Sequence, residues 1–189
     1  MVKTPYRRAL ITGSSAGLGT EYARQLAAAG TSLILTARRA DRLEELAREL
    51  RTRYGVAVDV VPADLSTDEG IERVGRILAE DPALDLLVNN AGYGGRAGFV
   101  RGEVADHIAM SRVHVEATVR LTHAALPGMI ARGRGAVINL ASVAAFSPFS
   151  GAMYSGTKAF LAMFSLYLQA ELAGKGVVVQ ALCPGMTHT

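Results

Sequence analysis

Short runs of consecutive apolar residues alternate along the chain with longer stretches in which apolar residues recur at helical spacing. The runs predict six β-strands, and the longer stretches predict five helices between them. The predicted strands are Ala9–Thr12, Ser32–Ala37, Ala57–Pro62, Leu84–Asn89, Ala136–Leu140 and Val177–Leu182. The predicted helices are Leu18–Ala29, Asp41–Arg53, Asp68–Glu80, Glu103–Ala131 and Ala152–Ala173.

The alternation of strands and helices is typical of an α/β fold with a doubly wound, Rossmann-like parallel sheet. Most of the strands are apolar at consecutive positions, as strands covered by helices on both faces tend to be. The chain has 189 residues, of which 50% are hydrophobic. We therefore expect a single domain, residues 1–189.

Composition and charge narrow the class of protein further. The net charge is +3 and the basic residues are scattered along the chain, which argues against a nucleic-acid partner. Cys183 is the single cysteine, so no intrachain disulfide can form. No apolar run is long enough to cross a membrane or to act as a signal peptide. These observations favour a cytoplasmic protein.

The last predicted helix is apolar around most of its circumference between residues 160 and 168. Such a helix must be covered by more than one neighbour. A partner subunit or the rest of the same chain could provide that cover, and the sequence leaves both open.

A glycine-rich segment, Thr12-Gly13-Ser14-Ser15-Ala16-Gly17-Leu18-Gly19, connects the first strand to the first helix. Glycines at this spacing permit positive φ and let the backbone approach a phosphate, and the helix that follows offers free amides. The strand-to-helix context that a dinucleotide site requires is also present. The segment therefore predicts a dinucleotide-binding turn, with an ordinary tight turn as the alternative.

Two arginines, Arg38 and Arg39, follow the second strand. A dinucleotide fold that prefers NAD usually has a carboxylate here for the ribose 2′-hydroxyl, whereas a 2′-phosphate requires a cation. Asp41 lies nearby but is expected in the first turn of the second helix. The arginines favour NADP(H), the alternative being a solvated surface pair.

Tyr154 and Lys158 lie near the start of the last helix. Their spacing of four residues places them on one helical face, so the ammonium can lie beside the phenol and favour its ionised form. Ser142 follows the fifth strand. Because ligands of open parallel sheets bind beyond the carboxyl ends of the strands, Ser142, the glycine turn and Asn89-Asn90-Ala91-Gly92 are expected at one site. A hydroxyl there can hydrogen-bond a carbonyl oxygen that gains negative charge.

Together these motifs resemble those of the short-chain dehydrogenase/reductase family of the NADP-preferring kind. The resemblance extends from Arg7 to Thr189 and follows the family's order of motifs, namely Thr12 to Gly19, Asp64-Leu65, Asn89 to Gly92, Ser142, Tyr154 with Lys158, and Pro184-Gly185. It implies hydride transfer between NADP(H) and a carbonyl or a secondary alcohol, without a metal.

The resemblance also implies roles for individual residues. Tyr154 would be the general acid for reduction, Ser142 would stabilise the carbonyl oxygen, and Lys158 would favour the phenolate and hold the nicotinamide ribose. Asp64 would contact the adenine, Asn90 the cofactor ribose region, and Thr187 or Thr189 the carboxamide side. The full set of expected cofactor-binding residues is Gly13, Ser14, Ser15, Gly17, Leu18, Gly19, Arg38, Arg39, Asp64, Leu65, Asn90, Ala91, Gly92, Tyr154, Lys158, Pro184, Gly185, Thr187 and Thr189.

The sequence departs from the family pattern at His114, which stands where members usually have an asparagine that helps a water chain reach the lysine. An imidazole can also donate and accept hydrogen bonds, and its pKa near 6.5 would add a pH dependence. The sequence therefore predicts either a catalytic relay role for His114 or a satisfied core or interface histidine. The family's substrate lid and final strand are also expected to be missing from the 189 residues.

The substrate side of the site is predicted to be apolar. The candidate apolar wall consists of Val143, Ala144, Ala145, Phe146, Pro148 and Phe149 with Tyr93 and Phe99, and it suggests a lipophilic ketone or 3-oxoacyl substrate, with ordinary loop packing as the alternative. The family resemblance implies a homodimer or homotetramer formed through the fourth and fifth predicted helices. The competing function is a non-catalytic NADP-binding sensor or scaffold of the same fold.

Overall fold

The computed structural model describes residues 6–95, 98–147 and 151–186. Six strands and six α-helices follow one another in the order β1 (Arg8–Thr12), α1 (Gly17–Ala28), β2 (Ser32–Ala37), α2 (Ala40–Tyr54), β3 (Val58–Pro62), α3 (Asp68–Glu80), β4 (Leu84–Asn89), α4 (Val104–Ser111), α5 (Ala117–Ala131), β5 (Gly135–Leu140), α6 (Ala152–Glu171) and β6 (Val177–Leu182). A π turn, Arg112–Glu116, joins α4 to α5, and a short 3₁₀ helix, Val143–Phe146, follows β5.

The six strands form one parallel sheet in the order β3-β2-β1-β4-β5-β6. The chain winds from β1 through β2 to β3 in one direction and from β4 through β5 to β6 in the other. The direction reverses between β1 and β4, and ligands of such sheets bind in the crevice beyond the strand ends at that point. The predicted Rossmann-like fold is confirmed.

Each face of the sheet supports its own apolar core because successive strand side chains point to opposite faces. On one face, Leu10 and Ile34 pack with residues of α3 and α5 such as Leu121. On the other, Ile11 and Leu35 pack with residues of α1 and α2, including Leu43 and Leu50. Helices therefore cover both faces, which explains the consecutive apolar positions of the strands.

The predicted continuous helix Glu103–Ala131 is wrong in one respect, because the π turn Arg112–Glu116 interrupts it. On the outer side of this turn, Arg112 pairs with Glu116 at 3.1 Å and with Asp68 of α3 at 2.9 Å. Arg120 joins the same cluster through Asp68 at 2.8 Å. The inner side carries His114, which is completely buried. The extra residue of the π turn directs His114 inward while α4 and α5 both keep apolar contacts.

The amino-terminal edge of the sheet is held by ion pairs. Asp85, near the start of β4, is completely buried. Its Oδ2 accepts hydrogen bonds from the backbone N and the Nε of Arg7, both at 3.0 Å, and lies 3.0 Å from Nη2 of Arg134. Arg8 pairs with Asp59 and, at 2.6 Å, with Asp81. The arginines and aspartates at this edge therefore form ion pairs with one another.

Among the described residues, no helix has both the length and the apolar character needed to span a bilayer.

Candidate active site

The glycine turn packs directly against the residues that follow β4. Gly13 and Gly17 have positive φ, +66° and +55°. A Cβ on Gly13 would lie 2.8 Å from Cα of Ala91, and a Cβ on Gly19 would lie 2.4 Å from the carbonyl oxygen of Gly13. Only glycine fits either position without moving the backbone. The two glycines therefore let the turn pack closely against Ala91 and against the first residues of α1.

Polar contacts fix the turn to the end of β4. The amide N–H groups of Asn90 and Ala91 both donate to Oγ1 of Thr12 at 2.9 Å. The Asn90 side chain donates to the carbonyl oxygens of Thr12 at 2.9 Å and Gly13 at 3.2 Å. Asn90, expected from the sequence to contact the cofactor ribose region, therefore also fastens the dinucleotide-binding turn.

The amino end of α1 is free to receive an anion. Its N-cap residue, Ala16, makes no side-chain capping hydrogen bond, and its first turn contains no acidic residue. The first amides of a helix and its dipole attract a phosphate. The turn, the uncapped helix and two neighbouring arginines match the donor set that a dinucleotide phosphate requires, so the residues present fit such a cofactor.

Charged residues lie at the ends of β2 and β3, next to the turn. Arg38 and Arg39 are exposed, and Nη2 of Arg39 donates to the carbonyl oxygen of Ser15 at 3.1 Å. Burial raises the pKa of Asp64, but hydrogen bonds from Ser66 and the charge of Arg38 outweigh that effect and hold the pKa below its usual range. Asp64 therefore stays ionised, with Oδ1 accepting from the Ser66 hydroxyl at 2.7 Å.

Ser142, Tyr154 and Lys158 line the same cavity as the glycine turn, with a volume of about 820 Å³. Ser142 begins the short 3₁₀ helix, and its Oγ accepts from the amide of Ala144 at 3.1 Å. The hydroxyl hydrogen of Ser142 remains available to a ligand oxygen, because an acceptor role for Oγ does not use it.

Lys158 is buried below Tyr154. Its Nζ donates to the carbonyl oxygen of Leu140, the last residue of β5, at 2.5 Å. It also lies 5.6 Å from the centre of the Tyr154 ring. Burial lowers the pKa of Lys158 to about 8, so the ammonium predominates at neutral pH. The predicted pairing of the two residues on one helical face is present.

His114 lies behind the cavity, on the inner side of the π turn. Its Nε2 accepts from the amide of Tyr93 at 3.0 Å, and its Nδ1 lies 2.9 Å from Oγ1 of Thr157. Burial and the charge of Lys158 lower the pKa of His114 to about 3. The pH dependence expected from a pKa near 6.5 does not follow in these surroundings.

Most of the predicted site residues meet at the cavity. Those that line it are Gly13, Ser15, Gly17, Leu18, Arg38, Arg39, Asp64, Leu65, Asn90, Ala91, Gly92, Ser142, Tyr154, Lys158, Pro184 and Gly185. Ser14 does not line the cavity, because its side chain is buried and donates to the carbonyl oxygen of Thr36 at 3.4 Å. Gly19 and His114 do not line the cavity, but each contacts residues that do: Gly19 lies against Gly13, and His114 accepts a hydrogen bond from the amide of Tyr93. Thr187, Thr189, Pro148 and Phe149 lie outside the described residues.

Sequence reasoning missed several lining residues. These are Ala16, Ala37, Ala63, Ser66, Gly94, Ala109, Val113, Leu140 and Ala141. Ala37, Ala63, Leu140 and Ala141 lie at the carboxyl ends of β2, β3 and β5 or directly after them, so their strand positions carry a signal for the site. Ala109 and Val113 carry no such signal, since their position depends on how α4 and the π turn pack.

The comparisons with known proteins agree with this geometry. The profile of the short chain dehydrogenase family matches residues 7–189. The chain therefore belongs to the short-chain dehydrogenase/reductase family, which uses a nicotinamide cofactor. The predicted family and the predicted enzyme class of oxidoreductase are confirmed.

Individual relatives are similar over nearly the whole chain. Serine 3-dehydrogenase from Agrobacterium fabrum is 40% identical over 183 residues, which cover 95% of this chain and 72% of that protein. The bulky-bulky ketone specific alcohol dehydrogenase from Comamonas testosteroni has a structure with a TM-score of 0.95 and 36% identity, covering 97% of this chain and 74% of that one. A short-chain dehydrogenase from Sphingobium yanoikuyae, solved in complex with NADPH, has a TM-score of 0.94 and 38% identity, covering 96% of this chain and 71% of that one.

Proposed function

We propose that the protein transfers a hydride between NADP(H) and a carbonyl compound or the corresponding secondary alcohol. The observation that carries this proposal is the meeting of Ser142, Tyr154 and Lys158 with the glycine turn in one cavity. The glycine turn is expected to hold the cofactor phosphates, and Arg38 with Arg39 the 2′-phosphate. The NADPH-bound neighbour from Sphingobium yanoikuyae supports the choice of cofactor. When bound, the nicotinamide supplies or accepts the hydride.

The three polar residues divide the remaining chemistry among them. Ser142 donates its hydroxyl hydrogen to the carbonyl oxygen and stabilises the negative charge that develops there. Tyr154 gives its phenolic proton to the same oxygen, so that hydride and proton together convert the ketone into an alcohol. Lys158 stabilises the tyrosinate that remains, because its ammonium lies beneath the ring. In the oxidative direction the same groups act in reverse.

The substrate class we propose is a lipophilic ketone, including 3-oxoacyl compounds. Ala109, Val113 and Leu140 form an apolar part of the cavity lining, and Tyr93 lines it from the loop after β4. The structural neighbour from Comamonas testosteroni, described as specific for bulky-bulky ketones, supports this class. Phe146 and Phe99 from the predicted apolar wall are largely exposed and do not line the cavity.

The decisive experiment compares the wild-type protein with Tyr154→Phe. NADPH consumption is followed spectroscopically with a panel of aryl alkyl ketones and 3-oxoacyl thioesters, and NADPH binding is measured separately by fluorescence. Loss of the phenolic proton donor should lower kcat by about a thousandfold while the dissociation constant for NADPH stays within about twofold. Activity retained in Tyr154→Phe would remove Tyr154 from its role. NADPH binding by the wild type without turnover on the whole panel would favour the sensor or scaffold function.

We also propose that the protein forms a homodimer or homotetramer through the predicted fourth and fifth helices. The outer side of α6 exposes Phe160, Met163, Leu166 and Tyr167, and such a contiguous apolar surface favours burial in an interface. Sedimentation velocity at micromolar concentration is expected to give a dimer or a tetramer. Leu166→Glu on this surface should shift the sedimentation profile toward the monomer, and a monomeric wild type would contradict the proposal.

A further inference from the structure

Both ring nitrogens of His114 have partners that determine where its proton is. The partner of Nε2 is the backbone N–H of Tyr93 at 3.0 Å. A backbone amide can only donate, so Nε2 must be the unprotonated acceptor. A neutral imidazole has one protonated nitrogen, and the proton therefore resides on Nδ1.

The contact on the other side of the ring is compatible with this assignment. The Thr157 hydroxyl lies 2.9 Å from Nδ1 of His114 and 2.9 Å from the carbonyl oxygen of Tyr154. With Nδ1 protonated, the hydroxyl accepts from Nδ1 and donates its single hydrogen to the carbonyl oxygen. The hydrogen bonds thus run in one direction, from the amide of Tyr93 to the ring, to Thr157 and to the backbone of Tyr154.

Protonation of both ring nitrogens of His114 would break this series of hydrogen bonds. An imidazolium would place an N–H at Nε2 directly against the N–H of Tyr93, in a site from which solvent is excluded. Among the described residues, the groups that face the ring are Lys158, whose positive charge opposes protonation, the Tyr93 backbone, the Thr157 hydroxyl, and the edges of the Tyr93 and Tyr154 rings at centroid distances of 5.6 Å and 5.9 Å. Burial, which is the largest effect, and the charge of Lys158 together lower the pKa of His114 to about 3.

The same hydrogen bonds prevent proton transfer through the imidazole ring. A proton that entered at Nδ1 would have to leave from Nε2, where the neighbour is a backbone amide that neither needs nor passes on a proton. The two residues at the ends of this series of hydrogen bonds, Tyr93 and Tyr154, both line the cavity. On its outer side the π turn is held by the Arg112–Asp68 and Arg112–Glu116 ion pairs.

We propose that His114 is a positioning residue for the reaction: a permanently neutral ring, protonated at Nδ1, that fastens the loop after β4 to the first turn of α6 and carries no proton during turnover. This inference rests on the proposed function, because its effect on rate passes through Tyr154. It assigns to the histidine a role in alignment instead of the relay role that its chemistry first suggests.

The tautomer can be measured without turnover. Long-range ¹⁵N–¹H spectra of the labelled wild-type protein, with the His114 signals assigned by their loss in His114→Gln, distinguish a protonated from an unprotonated ring nitrogen. We expect Nδ1 protonated and Nε2 unprotonated, unchanged from about pH 5 to pH 8, the range over which an ordinary histidine titrates, with and without NADP⁺. Titration of His114 within that range, or the opposite tautomer, would overturn the proposal even if the protein proves to be an active reductase.

Variants of the two hydrogen-bonded partners test the effect on rate. Thr157→Val removes the hydroxyl, and His114→Phe keeps a ring without either nitrogen. Each should lower kcat per folded molecule about tenfold, the worth of one buried hydrogen bond, with NADPH affinity little changed. The urea midpoint should fall modestly, because each variant leaves a buried partner without its hydrogen bond. The double variant should be no slower than the slower single variant, because both changes break one chain. Thr157→Ser, which retains the hydroxyl, serves as the matched control and should retain the wild-type rate.

The pH dependence separates positioning from a relay. The shape of the kcat profile should be the same in wild type, Thr157→Val and His114→Gln, with only its height reduced. A limb of the wild-type profile that disappears in His114→Gln would instead indicate a proton relay through the ring. Unchanged kcat in both His114→Phe and Thr157→Val would contradict positioning and leave His114 a residue of the core.

Discussion

The two edges of the sheet contain buried charges of opposite kinds. At the amino-terminal edge, Asp85 is buried with Arg7 and Arg134 directed at its carboxylate. At the carboxyl-terminal edge, Lys158 is buried with a single carbonyl oxygen as its hydrogen-bond partner in the described structure. One buried charge is neutralised by its surroundings, and the other is not.

This difference separates an edge that serves stability from the edge where we propose that the chemistry takes place. A buried carboxylate with two cationic partners favours the folded state, whereas a buried ammonium without an anion disfavours it. The pKa values agree with this contrast. Burial raises the pKa of Asp85, but the hydrogen bonds from Arg7 and the charge of Arg134 outweigh it and leave the pKa low, while burial lowers that of Lys158 to about 8. The unfavourable charge lies where the proposed reaction would use it.

The largest effect is expected for Lys158→Met, measured as urea stability against pH. The folded pKa of about 8 lies below the ordinary value of 10.5, so the folded protein loses its proton first as the pH rises. Between those values unfolding takes up a proton, and wild-type stability should therefore rise with pH relative to the variant, by up to about 3 kcal/mol in total.

The urea stability of the variant should be highest relative to that of the wild type at pH 7. This holds even though the carbonyl oxygen of Leu140 loses its hydrogen-bond donor in the variant. Catalytic activity should be lost at every pH. A stability difference that does not change between about pH 7 and pH 10 would show that the ammonium is not penalised by burial.

A smaller effect is expected for Asp85→Asn at the opposite edge. The amide cannot replace an anion that accepts from two arginines, so urea denaturation should show a loss of about 2 kcal/mol, with turnover per folded molecule unchanged. Because the folded pKa lies below the ordinary one, the contribution of Asp85 is fully present above about pH 4 and disappears as the pH falls further.

The smallest effect is expected for Asp59→Asn, which is the control for Asp85. Asp59 pairs with Arg8 at the same edge, but its side chain is 60% exposed. Exposed pairs contribute less than about 1 kcal/mol, so the variant should denature close to wild type. If the two aspartate variants lost equal stability, burial would not be what distinguishes the pairs.

The sequence predicted the regular parts of this fold well because their signals are local. All six strands appear within one residue of the predicted ends, and Asp41 lies in the first turn of α2 as expected. The π turn Arg112–Glu116 was missed because its residues have ordinary helical character, and only the packing of α4 and α5 against different neighbours requires the extra residue.

The candidate site was predicted by residue type and strand position, and its internal contacts were not. Asn90 and Ser14 were both expected to contact the cofactor, yet their side chains bond to backbone carbonyls inside the protein. The environment of His114 depends on Tyr93 and Thr157, which lie 21 and 43 residues away along the chain. Such long-range hydrogen bonds leave no periodic pattern from which they could be inferred.

The π turn also restricts which changes in length the chain can accept. Each helical residue advances by about 100° around the axis, so the extra residue turns everything after Glu116 by that angle relative to an uninterrupted helix. Deletion of one residue between 112 and 116 would restore regular hydrogen bonding but rotate Leu121 and Met129, both buried now, away from the core. Homologues that lack the extra residue would need a different apolar pattern along the whole of α5.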